Sequence, residues 1–167
     1  LVGIQEPRKQ YLELSDEFDG STPGAQWSWV RQPDATTFGM ANGAFWMQTQ
    51  AADLYVDDNN ASVLLEPTPK HDYVVETRVR LNLPAEGCCY NYVQAGLVIY
   101  GSDDNFIKLA SVSIWETRQT EYAKEQAPVP DGYPRYGNSV IGPPDEWTYL
   151  RIARAACGKE ECYTGYT

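Results

Sequence analysis

Glu121 and Glu125 stand four residues apart in a stretch, 117–125, where Arg118, Thr120, Tyr122 and Lys124 alternate with Gln119, Glu121 and Ala123. Such alternation predicts a β-strand, and residues i and i+4 of a strand share a face. Two carboxylates opposed across roughly 5 to 9.5 Å are what hydrolysis of a glycosidic bond requires. Glu116, directly after Trp115, adds a third acid nearby. The chain lacks the Glu-x-Asp-x-x-Glu run of sandwich-fold glucanases, so a solvated strand face is the plainer reading of these acids. A lyase acting on acidic sugars would need His, Tyr, Arg and Gln to converge. The single histidine, His71, sits between Lys70 and Asp72 at the mouth of a strand, where turn chemistry explains it.

Aromatic side chains offer a second kind of chemistry, because the C–H faces of a pyranose stack on a flat π surface. The chain carries five Trp, twelve Tyr and four Phe. Trp115 and Tyr100 fall at strand ends beside polar neighbours, Tyr122 lies in the 117–125 strand, and Tyr133 and Tyr136 lie in a Pro-rich segment that could form a binding lip. These five are the carbohydrate-binding candidates. Trp27, Trp29, Trp46 and Trp147 read as core residues.

Calcium needs several oxygen ligands, and Asp57, Asp58, Asn59 and Asn60, then Asp103, Asp104 and Asn105, and also Asp16 and Asp19 supply oxygens. Tight turns use the same residue types. Asn60-Ala61-Ser62 is an N-glycosylation sequon on an expected loop.

The four cysteines are an adjacent pair, Cys88 and Cys89, and a second pair, Cys157 and Cys162. Their even number in a short acidic chain points to disulfides and to an extracellular, oxidising setting. Zinc-type C-x-x-C spacing is absent. A local Cys157–Cys162 bridge would leave Cys88 and Cys89 as a vicinal ring. If successive strands alternate in direction, the 84–92 and 158–161 loops share one end of the fold, and cross-bridges between the two pairs are open. The narrow geometry a vicinal disulfide must meet favours the cross-bridged arrangement.

Thirteen Lys and Arg against twenty-three Asp and Glu leave a net charge of -10, which repels nucleic acid and anionic membrane surfaces. No run approaches the roughly 20 apolar residues of a membrane span. The opening, Leu1-Val2-Gly3-Ile4-Gln5, has no basic-then-apolar leader and reads as a processed or trimmed end.

The elements that would position these residues are strands throughout. Residues 1–12, with Pro7, read as an extended lead-in, and 13–167 as one domain. Trp27 and Trp29 point to one face of a short strand. Residues 38–40 and 44–49 flank an Asn42-Gly43 hairpin turn, and 61–65 form a short apolar strand. Over 73–83, Tyr73, Val75, Thr77, Val79 and Leu81 face one way and Val74, Glu76, Arg78, Arg80 and Asn82 the other, which predicts a half-buried strand. Strands 94–100 and 106–115 join through a polar turn, and 117–125 pairs with the second of them. Residues 126–145, holding five of the eleven prolines, read as a long surface loop. A final hairpin pairs 147–155 with 162–166.

The ordered pieces Asp16-Glu17-Phe18-Asp19-Gly20, Trp27-Ser28-Trp29, Gly43-Ala44-Phe45, Asp72 through Val79, Gln94 through Tyr100, Asp103 through Leu109, and Trp147 through Ile152 together resemble the concanavalin-A-like domain at the C-terminus of family 43 β-xylosidases and arabinofuranosidases. The resemblance covers about nine tenths of the chain. It implies an all-β, LamG-like jelly-roll β-sandwich of two antiparallel sheets, secreted with or attached to plant-polysaccharide hydrolases as an accessory or carbohydrate-binding module. It also favours the Asp16 and Asp19 region as the place of a structural Ca2+. Relatives continue past Thr167 with another strand or two, so the last strands of the fold are expected to be missing here.

Three functions follow. The first is a non-catalytic glycan-binding or accessory module beside a catalytic domain. The second is a self-associating extracellular subunit that shares a sheet edge by strand addition, and the third a glycoside hydrolase in its own right.

Overall fold

The computed structural model describes residues 14–87 and 92–167. The expected lead-in, 1–12, and Cys88 and Cys89 lie outside the described residues. The chain forms two compact units. One comprises Leu1–Leu54 and Asp58–Lys70, the other Tyr55–Asp57 and His71–Thr167.

The first unit is built from short strands. These are β1 (Ser28–Val30), β2 (Phe38–Met40), β3 (Phe45–Met47), the two-residue β5 (Asp58–Asn59) and β6 (Val63–Leu65), while the two-residue β4 (Leu54–Tyr55) ends on the first residue of the second unit's Tyr55–Asp57 segment. Strand β1 pairs antiparallel with β6, and β2 with β3. The β2–β3 turn is the expected one, with Asn42 and Gly43 both at positive φ (55° and 67°), the backbone form that two-residue hairpins need. Side-chain alternation gathers Phe18, Trp27, Trp29, Phe38 and Phe45 into one cluster, with neighbouring ring centroids 5.0 to 6.2 Å apart. Trp27 and Trp29 therefore pack together on one side, as their spacing predicts, but they are half-buried rather than fully enclosed. Trp46, expected in the core, is 42% exposed. It follows Phe45 directly on β3, and alternation turns it away from the cluster that Phe45 enters.

The second unit is a two-layer antiparallel sandwich made of β7 (Tyr73–Val79), β8 (Gln94–Ser102), β9 (Asn105–Ile114), β10 (Thr117–Gln126), β11 (Tyr136–Ile141), β12 (Thr148–Cys157) and β13 (Glu160–Tyr166). One sheet has the order β11-β10-β9-β8 and the other β13-β12-β7. Leu97, Leu109 and Tyr122 stand opposite one another across β8, β9 and β10. They meet Val75, Leu150 and Ile152 of the second sheet in the core. Leu150 and Ile152 are fully buried, each worth roughly 1.5 to 3 kcal/mol relative to exposure.

Two expectations change. Residues 126–145 do not form one long loop, because β11 lies within them and pairs with β10 from Thr120↔Ile141 to Glu125↔Tyr136. The prolines at 128, 130, 134, 143 and 144 flank this strand rather than interrupt it, as the missing proline N–H requires. Trp147, read as core, is 40% exposed, with the Arg78 guanidinium 4.4 Å from its ring centroid. Among the described residues no helix is long and apolar enough to cross a membrane.

Candidate functional site

The face of the four-stranded sheet opposite the one holding Leu97, Leu109 and Tyr122 carries Phe106, Lys108, Ala110 and Val112 on β9, with Glu121, Ala123 and Glu125 beside them on β10 and Tyr136 and Asn138 on β11, and it too is largely buried. The register aligns Glu121 with Ala110, Ala123 with Lys108, and Glu125 with both Phe106 and Tyr136. Glu121 and Glu125 thus share a face, as their spacing requires, but that face is not solvated: each glutamate is 2% exposed.

Both acids are paired with cations. Glu121 Oε1 accepts hydrogen bonds from Tyr136 Oη (3.0 Å) and Asn138 Nδ2 (2.7 Å). Its Oε2 takes no directed hydrogen bond but faces Lys108 Nζ at 3.3 Å, an ion pair in a buried setting. The Lys108 ammonium also lies 5.3 Å from the Tyr136 ring centroid. Burial, reinforced by the Glu121 carboxylate, pushes the Tyr136 hydroxyl far above its ordinary value. Glu125 Oε1 accepts from Arg135 Nε (2.8 Å) and Oε2 from the Val56 N–H (2.8 Å).

Arg135 then gathers the loops. It donates to Asp57 Oδ1 (2.8 Å), to the Val56 carbonyl (2.7 Å) and to Asp104 Oδ1 (2.5 Å). The hydrogen bond to Asp57 leads the interactions that hold its pKa above the usual guanidinium value. Asp57 and Asp104 come from two of the Asp/Asn clusters that could have offered oxygens to calcium. They do converge, but on a guanidinium.

The five aromatic candidates separate into two groups. Tyr100 donates to Asp103 Oδ1 (2.8 Å). Tyr122 packs against the core and donates to the Tyr163 carbonyl (3.0 Å). Tyr136 lies on strand β11, bonded to Glu121, with the Tyr55 ring edge-on to it at 4.9 Å. By contrast Trp115 is 72% exposed and Tyr133 70% exposed. Trp115 lies in the turn before β10 and Tyr133 in the connection beyond its other end, with the ten-residue strand, about 30 Å long, between those two ends. They cannot share one sugar.

Trp115 and Glu116 form the two-residue turn between β9 and β10, both with positive φ (52° and 58°), a conformation uncommon for residues other than glycine, asparagine and aspartate. The turn is held by Thr117 Oγ1 donating to the Ile114 carbonyl (3.0 Å). Trp115 lines a shallow depression with Tyr92, Ile114 and Glu116. Tyr92, 60% exposed, is anchored there by its N–H donating to the Ser113 carbonyl. Sequence reasoning missed Tyr92. The signal was available in its place just before β8, whose pairing with β9 runs back toward the Trp115 turn.

Asp16 Oδ1 accepts the Phe18 N–H (2.8 Å), and Oδ2 accepts the Gly24 N–H (3.1 Å) and the Trp27 indole N–H (2.9 Å). Burial pushes the Asp16 carboxyl up, but these three donors outweigh it and hold the pKa below its ordinary value. Asp16 thus organises a turn, and Asp19 nearby is exposed. Among the described residues no three Asp, Glu, His or Cys side chains are grouped to hold a metal ion. Asn60 is exposed, its Oδ1 accepting the Asp53 N–H (2.7 Å).

The cross-bridged disulfide arrangement is overturned at one pair: Cys157 bonds to Cys162, with Cα atoms 5.7 Å apart. In the β12–β13 register Cys157 stands opposite Glu160 and Cys162 opposite Ala155. Two residues offset diagonally on one face of a hairpin are within bridging distance, so the local pair forms. Cys88 and Cys89 lie outside the described residues.

No curated protein and no solved structure matches the chain. A family model described as the beta xylosidase C-terminal concanavalin A-like domain matches residues 15–164, which take in every strand from β1 to β12 and most of β13. The chain belongs to the concanavalin A-like family of beta-xylosidase C-terminal domains.

Proposed function

We propose that the chain is a non-catalytic accessory module of a secreted glycoside hydrolase, working beside a catalytic domain and holding a glycan at the Trp115 turn. The observation that carries this is the pairing of two exposed aromatic side chains, Trp115 and Tyr92, on one depression. A ring that is expensive to leave in water, on a turn that takes an uncommon backbone form, is the surface a pyranose face stacks on. The acids support the same reading. Glu121 and Glu125 are locked by Lys108, Arg135 and neutral donors, and their faces point into the protein rather than across a groove.

Affinity electrophoresis and calorimetry against xylan, arabinan, cellulose and their oligosaccharides test it. The expected result is binding to at least one of them, weakened at least tenfold by Trp115→Ala or Tyr92→Ala, with no reducing sugar released by the wild type. Release of sugar that Glu121→Gln abolishes would make it an enzyme. Absence of binding to every glycan would remove the holding role.

A further inference from the structure

The outer face of the three-stranded sheet carries a second row of exposed aromatic rings. On β12 alternation turns Thr148, Leu150 and Ile152 inward and Tyr149, Arg151 and Ala153 outward. Tyr149 is 58% exposed, Trp147 40% and Tyr166 37%. Tyr149 stands opposite Arg78 of β7, and Tyr166 of β13 stands opposite Arg151. Tyr149 and Tyr166 are therefore diagonal neighbours, about 7 Å apart, and Trp147 lies about 7 Å from Tyr149 along the chain. Past the rings the outward positions are Ala153 opposite Thr164 and Ala155 opposite Cys162, and then Cys157 opposite Glu160, so the Cys157–Cys162 bridge lies at the far end of the same face. The rings stand at one end of a flat floor.

The charges on this face are spent on one another. Arg151 pairs with Glu76 at 2.7 Å and Arg80 with Glu146 at 2.6 Å, while Arg78 lies over Trp147. Three guanidiniums, of Arg78, Arg80 and Arg151, against three carboxylates, of Glu76, Glu146 and Glu160, leave the face close to neutral on a molecule of net charge -10. Three strands make it roughly 14 Å wide, a width that suits one extended chain laid along it. A strip of this size and charge fits a ligand one sugar wide, with apolar C–H faces for the rings and hydroxyls for the guanidinium and carboxylate edges.

We infer that this outer face, centred on Tyr149, Tyr166 and Trp147, is a platform for a neutral polysaccharide chain, separate from the Trp115 turn. It rests on the reading of the chain as a glycan-holding module and adds a second surface to it. The rings stack on successive sugars, and the Arg151–Glu76 pair fixes hydroxyls beside them.

Affinity electrophoresis in soluble neutral xylan and calorimetry with xylohexaose test the inference on wild type, Trp115→Ala, Tyr149→Ala/Tyr166→Ala and the combined variant, each checked for unchanged urea unfolding apart from a small shift. Binding to neutral xylan should fall at least tenfold in Tyr149→Ala/Tyr166→Ala and persist in part in Trp115→Ala. It should vanish in the combination and return with Tyr149→Phe/Tyr166→Phe. Full xylan binding by Tyr149→Ala/Tyr166→Ala overturns the platform while leaving the Trp115 site intact. Loss of all binding in Trp115→Ala alone does the same. Wild type that binds neither probe overturns it too. A steep loss of affinity with added salt would show that charge rather than stacking holds the ligand and overturn its neutral character. A change of sedimentation from dimer to monomer in the tyrosine variant would make the face a contact between copies and also overturn it.

Discussion

Gly165 of β13 leaves the room that the Tyr122 ring of β10 fills: a Cβ at position 165 would stand 2.8 Å from Tyr122 Cδ2. The same ring donates from its hydroxyl to the Tyr163 carbonyl, two residues earlier on β13, at 3.0 Å. One side chain thus spans the sandwich and is fitted to its partner sheet at both ends. Gly165→Ala should cost about 1 to 3 kcal/mol by overpacking, and Tyr122→Phe about 1 kcal/mol for the lost hydrogen bond. Urea unfolding measures both. A Gly165→Ala protein as stable as wild type would show that the ring has space to retreat.

The Lys108–Glu121 pair predicts an asymmetry. Lys108→Met leaves a buried carboxylate with only its neutral donors and should cost about 3 to 5 kcal/mol. Replacing both, as Lys108→Met/Glu121→Leu, removes the uncompensated charge and should recover a large part of that loss. Equal stability of the single and double variants would mean that the pair contributes through packing alone.

Asp16 and Glu66 should respond to pH in opposite directions. Asp16 titrates below its ordinary value of 3.8 in the folded chain, so its contribution is fully present above that value and is lost as pH falls through the lower, folded one. Glu66 titrates above its ordinary 4.5, raised first by burial and then by the Asp16 charge. Its ionised form therefore opposes folding at neutral pH, and the penalty is released as pH falls to 4.5 and below. Thermal unfolding between pH 3 and 7 should show Glu66→Gln more stable than wild type at pH 7 and equal to it near pH 4. Asp16→Asn should be less stable at pH 7 and lose that deficit in acid.

The Cys157–Cys162 bridge closes a hairpin whose cysteines are five positions apart. Cys157→Ser/Cys162→Ser should lower stability by about 2 kcal/mol, the value for so short a loop, with the strands retained in the far-ultraviolet circular dichroism spectrum. Complete unfolding would assign the bridge a larger part than loop closure gives it.

Strong alternation carried the sandwich in the sequence. Residues 73–83, 94–112 and 147–155 each expose one face to the core, and the observed registers follow. Strand β11 is hidden in the sequence because Pro134, Pro143 and Pro144 bracket it closely and its exposed middle residues, Gly137, Asn138 and Ser139, are turn formers. Trp46 and Trp147 differ for another reason: their side-chain type suits a core, but strand parity turns them outward. The acids were the least legible. Spacing places Glu121 and Glu125 on one face, but nothing local shows that Lys108, Arg135 and the Val56 amide arrive there from 10 to 69 residues away. The cysteine pairing turned on register, which the hairpin loop length alone could have fixed.

Tyr55–Asp57 belongs to the sandwich although the residues on either side of it belong to the other unit. A polypeptide trimmed to begin at His71 would keep every strand of both large sheets and still forfeit the amide that meets Glu125 and the carboxylate that meets Arg135. The portable piece is therefore longer than its visible architecture. Grafting this module onto another enzyme has to carry the three-residue visitor along with the sequence that delivers it.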